Sequence, residues 1–285
     1  MSEKINRSEL KDLNVDISVV DDFGREWQSM DQTSLPEMER KELFDQYFSL
    51  FPWNDLPENP EGFDAGCGSG RWARMVAPRV GHLHCVEPSV AIEVSKGQLS
   101  SHGNCTFHPT TIGDMPIEDG TMDFGYSLGV LHHIPDTQIA MSDCTCKLRK
   151  GAPFLVYLYY AFDNRPTWFR GIWKLSDLLR KIVSRFPPKV KFLVSQVIAV
   201  TVYFPLARLA WLSEKIGFEV QSFPLSFYRD KSFYTMRTDA LDRFGTRLEQ
   251  RFTRTQIRSM MENAGLERVM FRDGKPYHCA LGYKK

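Results

Sequence analysis

Between Gly62 and Tyr160 the chain alternates short apolar runs with helical stretches. The succession is "GFDAG", "WARMVAPRV", "HLHCVE", "AIEVSKGQL", "CTFHPTT", "MDFGYSLGV", a helix expected from about Asp136 to Leu148, and "APFLVYLYY". Strand and helix in strict alternation leave few solutions. Each pair must form a right-handed crossover, and the strands must gather into a parallel sheet covered on both faces. Near the end, "LERVMFRDGKPYHCALGY" joins two strand-like runs through Asp273-Gly274, a hairpin signal, so the last strand should run antiparallel. The expected class is a doubly wound α/β sheet.

Other material flanks this core. Segment 1–60 carries 14 acids against 6 bases, with apolar residues at helical spacing (Leu43, Phe44, Tyr47, Phe48, Phe51). It reads as a helical cap leaning on something else, ended by the prolines of "PWNDLPENPEG". The α/β core is expected over 61–160. Over 161–250 the alternation stops, and a mostly helical insertion is expected to form the acceptor site or a lid. The core resumes over 251–285, where Thr253 and Gln256 make a capping box and Gly265 a helix stop.

A net charge of +1 gives no global pull toward nucleic acid. The start lacks a secretory apolar stretch, and no run reaches the 18 or more consecutive apolar residues of a membrane span, so the expected location is cytoplasmic. The six cysteines lack paired CxxC spacing, and no acid cluster suits a magnesium-dependent reaction, so no metal is expected.

"FDAGCGSGRW" places Gly66, Gly68 and Gly70 directly behind the first strand. Bare backbone there lets a ligand approach the carboxyl edge of the sheet. A dinucleotide fingerprint wants a small residue at position 71, where this chain has Arg71. Asp64 would face a pyrophosphate with like charge and suits a cationic or amino-bearing ligand instead. Glu87, 17 residues after Gly70, is placed to accept hydrogen bonds from a ribose, and Asp114 from an adenine amino group. The implied ligand has an amino-acid end, a ribose and an adenine.

The motifs "FDAGCGSG", "CVEPS", "GDMPIEDGTMDFGYSLGVLHHIPD" and "KLRKGAPFLVYLY" resemble the class I S-adenosylmethionine-dependent methyltransferases, especially the methyltransferase domain 11 group, from about Gly62 to Tyr160 and again over 251–285. The resemblance implies a Rossmann-like seven-stranded sheet with a reversed last strand. It implies that Asp64, Gly66, Cys67, Gly68 and Gly70 hold the methionine part of S-adenosylmethionine and Glu87, followed by Pro88, the ribose. Asp114 and Met115 would hold the adenine and Ser127 and Leu128 line the methyl donor, with S-adenosylhomocysteine as product.

Methyl transfer from a sulfonium is an in-line displacement, so the protein mainly aligns the reactants and excludes water. A hydroxyl, thiol or amine acceptor must also lose a proton. His133, or its neighbour His132, follows the fourth strand and is the natural base; a structural turn is the plainer role for "LHH". Tyr159 and Tyr160 leave the fifth strand toward the crevice. Tyr228, Arg229, Tyr234 and Arg237, with Arg165, form a polar and aromatic set suited to an anionic acceptor group. Ion pairs with Asp230, Asp239 or Asp242 would employ the same arginines without any substrate.

The insertion carries +8 over 165–215 and the first 60 residues −8. The two are expected to cover the crevice together. The competing expectation is a peripheral contact of 165–215 with anionic lipid, with "FLVSQVIAVTVYFPLA" reading better as a buried helix than as a span. A small-molecule acceptor, with oxygen favoured over nitrogen, sulfur or carbon, is expected over nucleic acid, because "SLGV" stands where an "NPPY"-type tetrapeptide would. A membrane-surface enzyme acting on a lipid or quinone and a non-catalytic cofactor-binding module are the rival readings.

Overall fold

The computed structural model describes residues 14–163 and 165–285, so the first 13 residues of the acidic segment, and Asn164 in the insertion, lie outside the described part. In chain order the helices are α1 Ile17–Ser29, α2 Glu37–Tyr47, α3 Ala73–Val76, α4 Ala91–Gln98, α5 Thr137–Cys146, α6 Thr167–Val183, α7 Pro188–Ile198, α8 Phe204–Lys215, α9 Phe233–Gly245 and α10 Arg254–Asn263. The strands are β1 Glu61–Ala65, β2 His82–Val86, β3 Cys105–His108, β4 Phe124–Leu128, β5 Pro153–Tyr157, β6 Leu266–Phe271 and β7 Cys279–Lys284. The described residues divide into two compact units, one holding 14–31, Leu43–Ala161 and Leu248–Lys285, the other Gln32–Glu42 and the described part of Phe162–Arg247.

In the first unit all seven strands form one sheet in the order β3-β2-β1-β4-β5-β7-β6. The strands β1 to β5 pair in parallel, and β7 runs antiparallel to both β5 and β6. The strand order reverses between β1 and β4, which opens a crevice at their carboxyl ends. The centre of the sheet is packed by size complementarity. Phe63 pairs with Gly125 and Gly62 with Phe124 across the β1–β4 ladder, and a Cβ on either glycine would overlap the facing phenyl ring. Two fully buried phenylalanines thus fit side by side because each lies over a residue without a side chain.

The helix ends follow local chemistry. Asp136 caps α5 by accepting from the Ile139 amide at 3.0 Å, and the helix stops at Cys146, two residues short of the expected Leu148. Thr253 and Gln256 form the reciprocal box at the start of α10, and Gly265 follows its end at φ +83°. The strands β6 and β7 pair antiparallel as expected, though residues 272–278, with Asp273-Gly274 near their start, form a longer loop than a two-residue turn.

The second unit is helical, with Val183, Ile198, Ala199, Tyr203, Ala207, Met236, Ala240 and Phe244 as its core. Buried Arg180 pairs with Asp177 at 2.7 Å and donates to the carbonyls of Thr246 and Arg247 at 2.9 and 3.0 Å. Residues 32–42 belong to this unit. Glu39 accepts from the Ser232 amide at 3.0 Å and the Thr235 hydroxyl at 2.7 Å, and Glu42 pairs with Lys231 at 2.9 Å. The acidic segment 1–60 is therefore divided between the two units.

The apolar run after Lys191 departs from its expectation. A π turn at Ala199–Tyr203 joins α7 to α8 into one helix, Pro188–Lys215, that is long and apolar enough by length and composition to cross a membrane. Ser195, Gln196 and Thr201 hid this from a count of consecutive apolar residues. The helix is not the buried one anticipated, because 33% of its most apolar stretch is buried.

Candidate active site

The glycine loop leaves β1 and turns by left-handed backbone: Gly66, Gly68 and Gly70 have φ of +84°, +52° and +81°. A side chain at Gly66 would overlap Val130, and one at Gly70 would meet the Ser95 hydroxyl at 2.8 Å. The loop is held by Glu87 at the end of β2. One oxygen of its carboxylate accepts from the Gly68 amide at 3.1 Å and the other from the Ser89 amide at 3.0 Å. Burial raises the Glu87 carboxyl above its ordinary range, an effect these hydrogen bonds oppose.

Asp64, the penultimate residue of β1, is buried, and its Oδ2 makes no hydrogen bond among the described residues. Burial pushes its carboxyl up to about 8; the Tyr126 hydroxyl opposes this and the neighbouring charge of Glu87 adds to it. A buried acid with an open oxygen beside three bare peptide units fits a positively charged group, and the donor set fits S-adenosylmethionine. Ser127 donates to the Ala65 carbonyl at 2.8 Å, tying the ends of β4 and β1 together, and Leu128 beside it is buried. Cys67 and Met115 are buried, while Pro88 and Asp114 are exposed, Asp114 accepting from the Thr111 hydroxyl at 3.0 Å.

Several of the residues expected to face the acceptor gather around the turn Leu131–His133. His133 donates from Nδ1 to the Leu248 carbonyl at 2.7 Å, so its proton is fixed there and the lone pair lies on Nε2. His132 is fully buried, and neither ring nitrogen makes a hydrogen bond among the described residues. Burial first, and the charges of His133 and Arg251 after it, hold it well below the ordinary histidine range. Its ring lies 3.9 Å from that of Tyr159, and the Arg251 guanidinium stands 4.9 Å from the same tyrosine ring. Tyr160 forms an isolated bridge with Phe252 and packs on Tyr277.

Helix α1 contributes side chains that no sequence motif marks. Gly24 lets it approach the start of α4, since a Cβ there would lie 2.9 Å from Val90. That approach brings Trp27 against Gly68 and the Phe23 ring to 4.8 Å from His133. Only the helical periodicity of the segment hinted at such a role.

The remaining acceptor candidates lie in the second unit, engaged within it. Arg165 donates to the Gln221 carbonyl at 2.7 Å, Tyr228 to Asp239 at 2.8 Å, and Arg229 to Glu214 at 2.7 Å. Arg237 bonds Gln196, and Tyr234 accepts from the Gln32 amide at 2.9 Å. Arg229 and Arg237 thus reach the side chains of Glu214 and Gln196, 15 and 41 residues away. At the amino ends of β1 and β2, opposite the glycine loop, Glu61, His82 and His84 bring three potential metal-ligand atoms within 4.8 Å of one another.

The strand order, the glycine loop and the two buried acids at the ends of β1 and β2 define a nucleoside-binding fold of the methyltransferase class. Residues 63–156 match the family described as Methyltransferase domain. Among solved structures the chain is similar to an O-methyltransferase family protein from Burkholderia thailandensis (13% identity, 86% of this chain and 56% of that one, TM-score 0.51). It is also similar to a protein named as a methyltransferase from Bacillus halodurans (14%, 80% and 72%, 0.49). A third is a protein named as a sarcosine dimethylglycine methyltransferase from Galdieria sulphuraria (22%, 41% and 46%, 0.38), less than half of whose length is spanned. Comparison with curated proteins returns no match. Over residues 63–156 the chain thus carries a methyltransferase domain.

Proposed function

We propose that the chain methylates a small-molecule acceptor, preferably at oxygen, with release of S-adenosylhomocysteine. The observation that carries the reading is the open Oδ2 of buried Asp64 beside the glycine loop, an oxygen that a cation or amino group would satisfy. S-adenosylmethionine, when bound, supplies a methyl group on a positively charged sulfur. Asp64 and the loop amides orient the amino-acid end, and Glu87 accepts from the ribose hydroxyls through its remaining lone pairs. Trp27 and Phe23 line this region with apolar surface, which excludes water from the acceptor. His133 takes the acceptor's proton at Nε2, the nitrogen that the Leu248 carbonyl leaves unprotonated. A hydroxyl acceptor is favoured because a positioned base helps it most: a thiol ionises more readily, and a neutral amine attacks before it loses its proton.

Titration calorimetry tests the binding step. Heat with S-adenosylmethionine and its demethylated product, none with NADH, and loss of that heat in Asp64→Asn are expected. Clean titration by NADH alone ends the proposal. Mass spectrometry of candidate metabolites incubated with the protein then identifies the methylated product and the acceptor atom.

A further inference from the structure

Helix α6 turns its apolar stripe outward. Trp168, Ile172, Leu175, Leu179 and Ile182 recur at spacings of three and four along one side, and all stand in solvent, Leu175 at 70% exposure. The inward side is taken by Arg180 and Val183, which are buried. The long helix 188–215 repeats the arrangement with Val190, Leu193, Val197, Val200 and Phe204 exposed, Leu193 at 64%. A soluble monomer rarely leaves so extended an apolar surface open.

The charges around it say what covers it. At about 100° per residue, exposed Leu178 widens the α6 stripe on one side, and Arg170, Lys174 and Lys181 fall together beyond it on that flank. All three are exposed, as are Arg185 and Lys189 in the turn that follows. Segment 165–215 contains only two acids, and both are engaged: Asp177 with Arg180 and Lys181, Glu214 with Arg229; Arg170 and Lys174 are the members of the flank outside these pairs. Trp168 and Trp211, at 50% and 43% exposure, add the amphipathic rings that favour the boundary between headgroups and acyl chains.

We infer that this unit docks on an anionic lipid surface, with the apolar stripes of α6 and of helix 188–215 in the headgroup region and the basic edge against lipid phosphates. The helix lies on the membrane and does not cross it. Its other side packs on α9, and there Lys191 donates to the Gly245 carbonyl at 3.2 Å, a polar contact that belongs inside a folded unit.

Co-sedimentation of the full chain with phosphatidylcholine vesicles, with and without phosphatidylglycerol, tests this. Pelleting with the anionic vesicles that weakens as salt rises is expected. Arg170→Glu combined with Lys174→Glu lowers partitioning by about tenfold or more. Leu175→Glu combined with Leu193→Glu removes it while circular dichroism and the unfolding midpoint stay unchanged, because both positions are exposed. Three outcomes overturn the inference: no pelleting with either vesicle; binding that ignores lipid charge and resists alkaline carbonate, which indicates a span; or a dimer by light scattering that Leu175→Glu splits without any vesicle binding, which indicates that a second copy covers the face.

Discussion

His133 donates from Nδ1 to the main-chain carbonyl of Leu248, 115 residues further along the chain, and so carries its lone pair on Nε2. The contact joins the turn after β4 to the segment that re-enters the sheet unit before α10. If Nε2 removes the acceptor's proton, His133→Ala should lower turnover by about 10²–10⁴-fold while leaving the calorimetric heat of S-adenosylmethionine unchanged. Equal losses in binding and turnover would assign His133 a structural role only.

Asp64 makes cofactor binding depend on pH. Its carboxyl titrates near 8 in the free protein, so at neutral pH it is mostly protonated, and a cationic ligand has to displace that proton. Affinity for S-adenosylmethionine should therefore rise from pH 6 toward pH 8. Calorimetry in buffers of different ionisation enthalpy should record proton release. For the ligand-free protein the sign is opposite. A carboxyl raised above its unfolded value contributes stability below about pH 4, and that contribution is lost as pH climbs to about 8. Asp64→Asn should flatten both profiles, and an unchanged pH slope of thermal unfolding in that variant would assign the dependence to Glu87, whose carboxyl burial also raises.

The parts of this molecule that were legible in the sequence are those set by neighbours along the chain. The alternation of "HLHCVE" with "AIEVSKGQL" required the parallel strands, and Thr253 with Gln256 required a helix start, because both signals are local periodicity or local hydrogen bonding. Asp64 and Glu87 stood out because they end strands next to glycine or serine. The partners of Arg229 and Arg237 were not legible, since Glu214 and Gln196 reach them through the packing of separate helices. Nor was the outward stripe of α6: a helical pattern shows that one face is apolar, and only the placement of Arg180 and Val183 shows which face turns inward.

Arg180 holds the second unit together through charge. Burial alone would raise its partner Asp177, but Arg180, Lys181 and Arg243 outweigh that and keep the carboxyl below its ordinary value. Arg180→Met leaves the Thr246 and Arg247 carbonyls without this donor and Asp177 without its buried partner. Removal of one member of such a pair costs about 3–5 kcal/mol. Denaturant unfolding should report a loss of that order, and limited proteolysis should find the added cleavage within 162–247. Asp177→Asn keeps the carbonyl bonds and should lose less. Equal stability of Arg180→Met and the parent would mean that the helices pack without the arginine.

The β1–β4 ladder offers the sharpest test of packing. Phe63 lies over Gly125 in register, and its ring, fully buried and 6.2 Å from that of Phe154, has no room to retreat. Gly125→Ala drives a methyl group into that ring and should cost about 1–3 kcal/mol by overpacking. Phe63→Leu alone leaves a cavity and should cost a similar amount, on the order of 1–3 kcal/mol. Together the changes compensate, because the added methyl enters the space that the ring vacates. The double variant should therefore be more stable than the sum of the single losses predicts, by at least about 0.5 kcal/mol. Strict additivity in thermal or denaturant unfolding would mean that the two residues do not share the volume their pairing gives them. The centre of the sheet would then have to be held by the helices on its faces and not by its own alternation of phenyl and hydrogen.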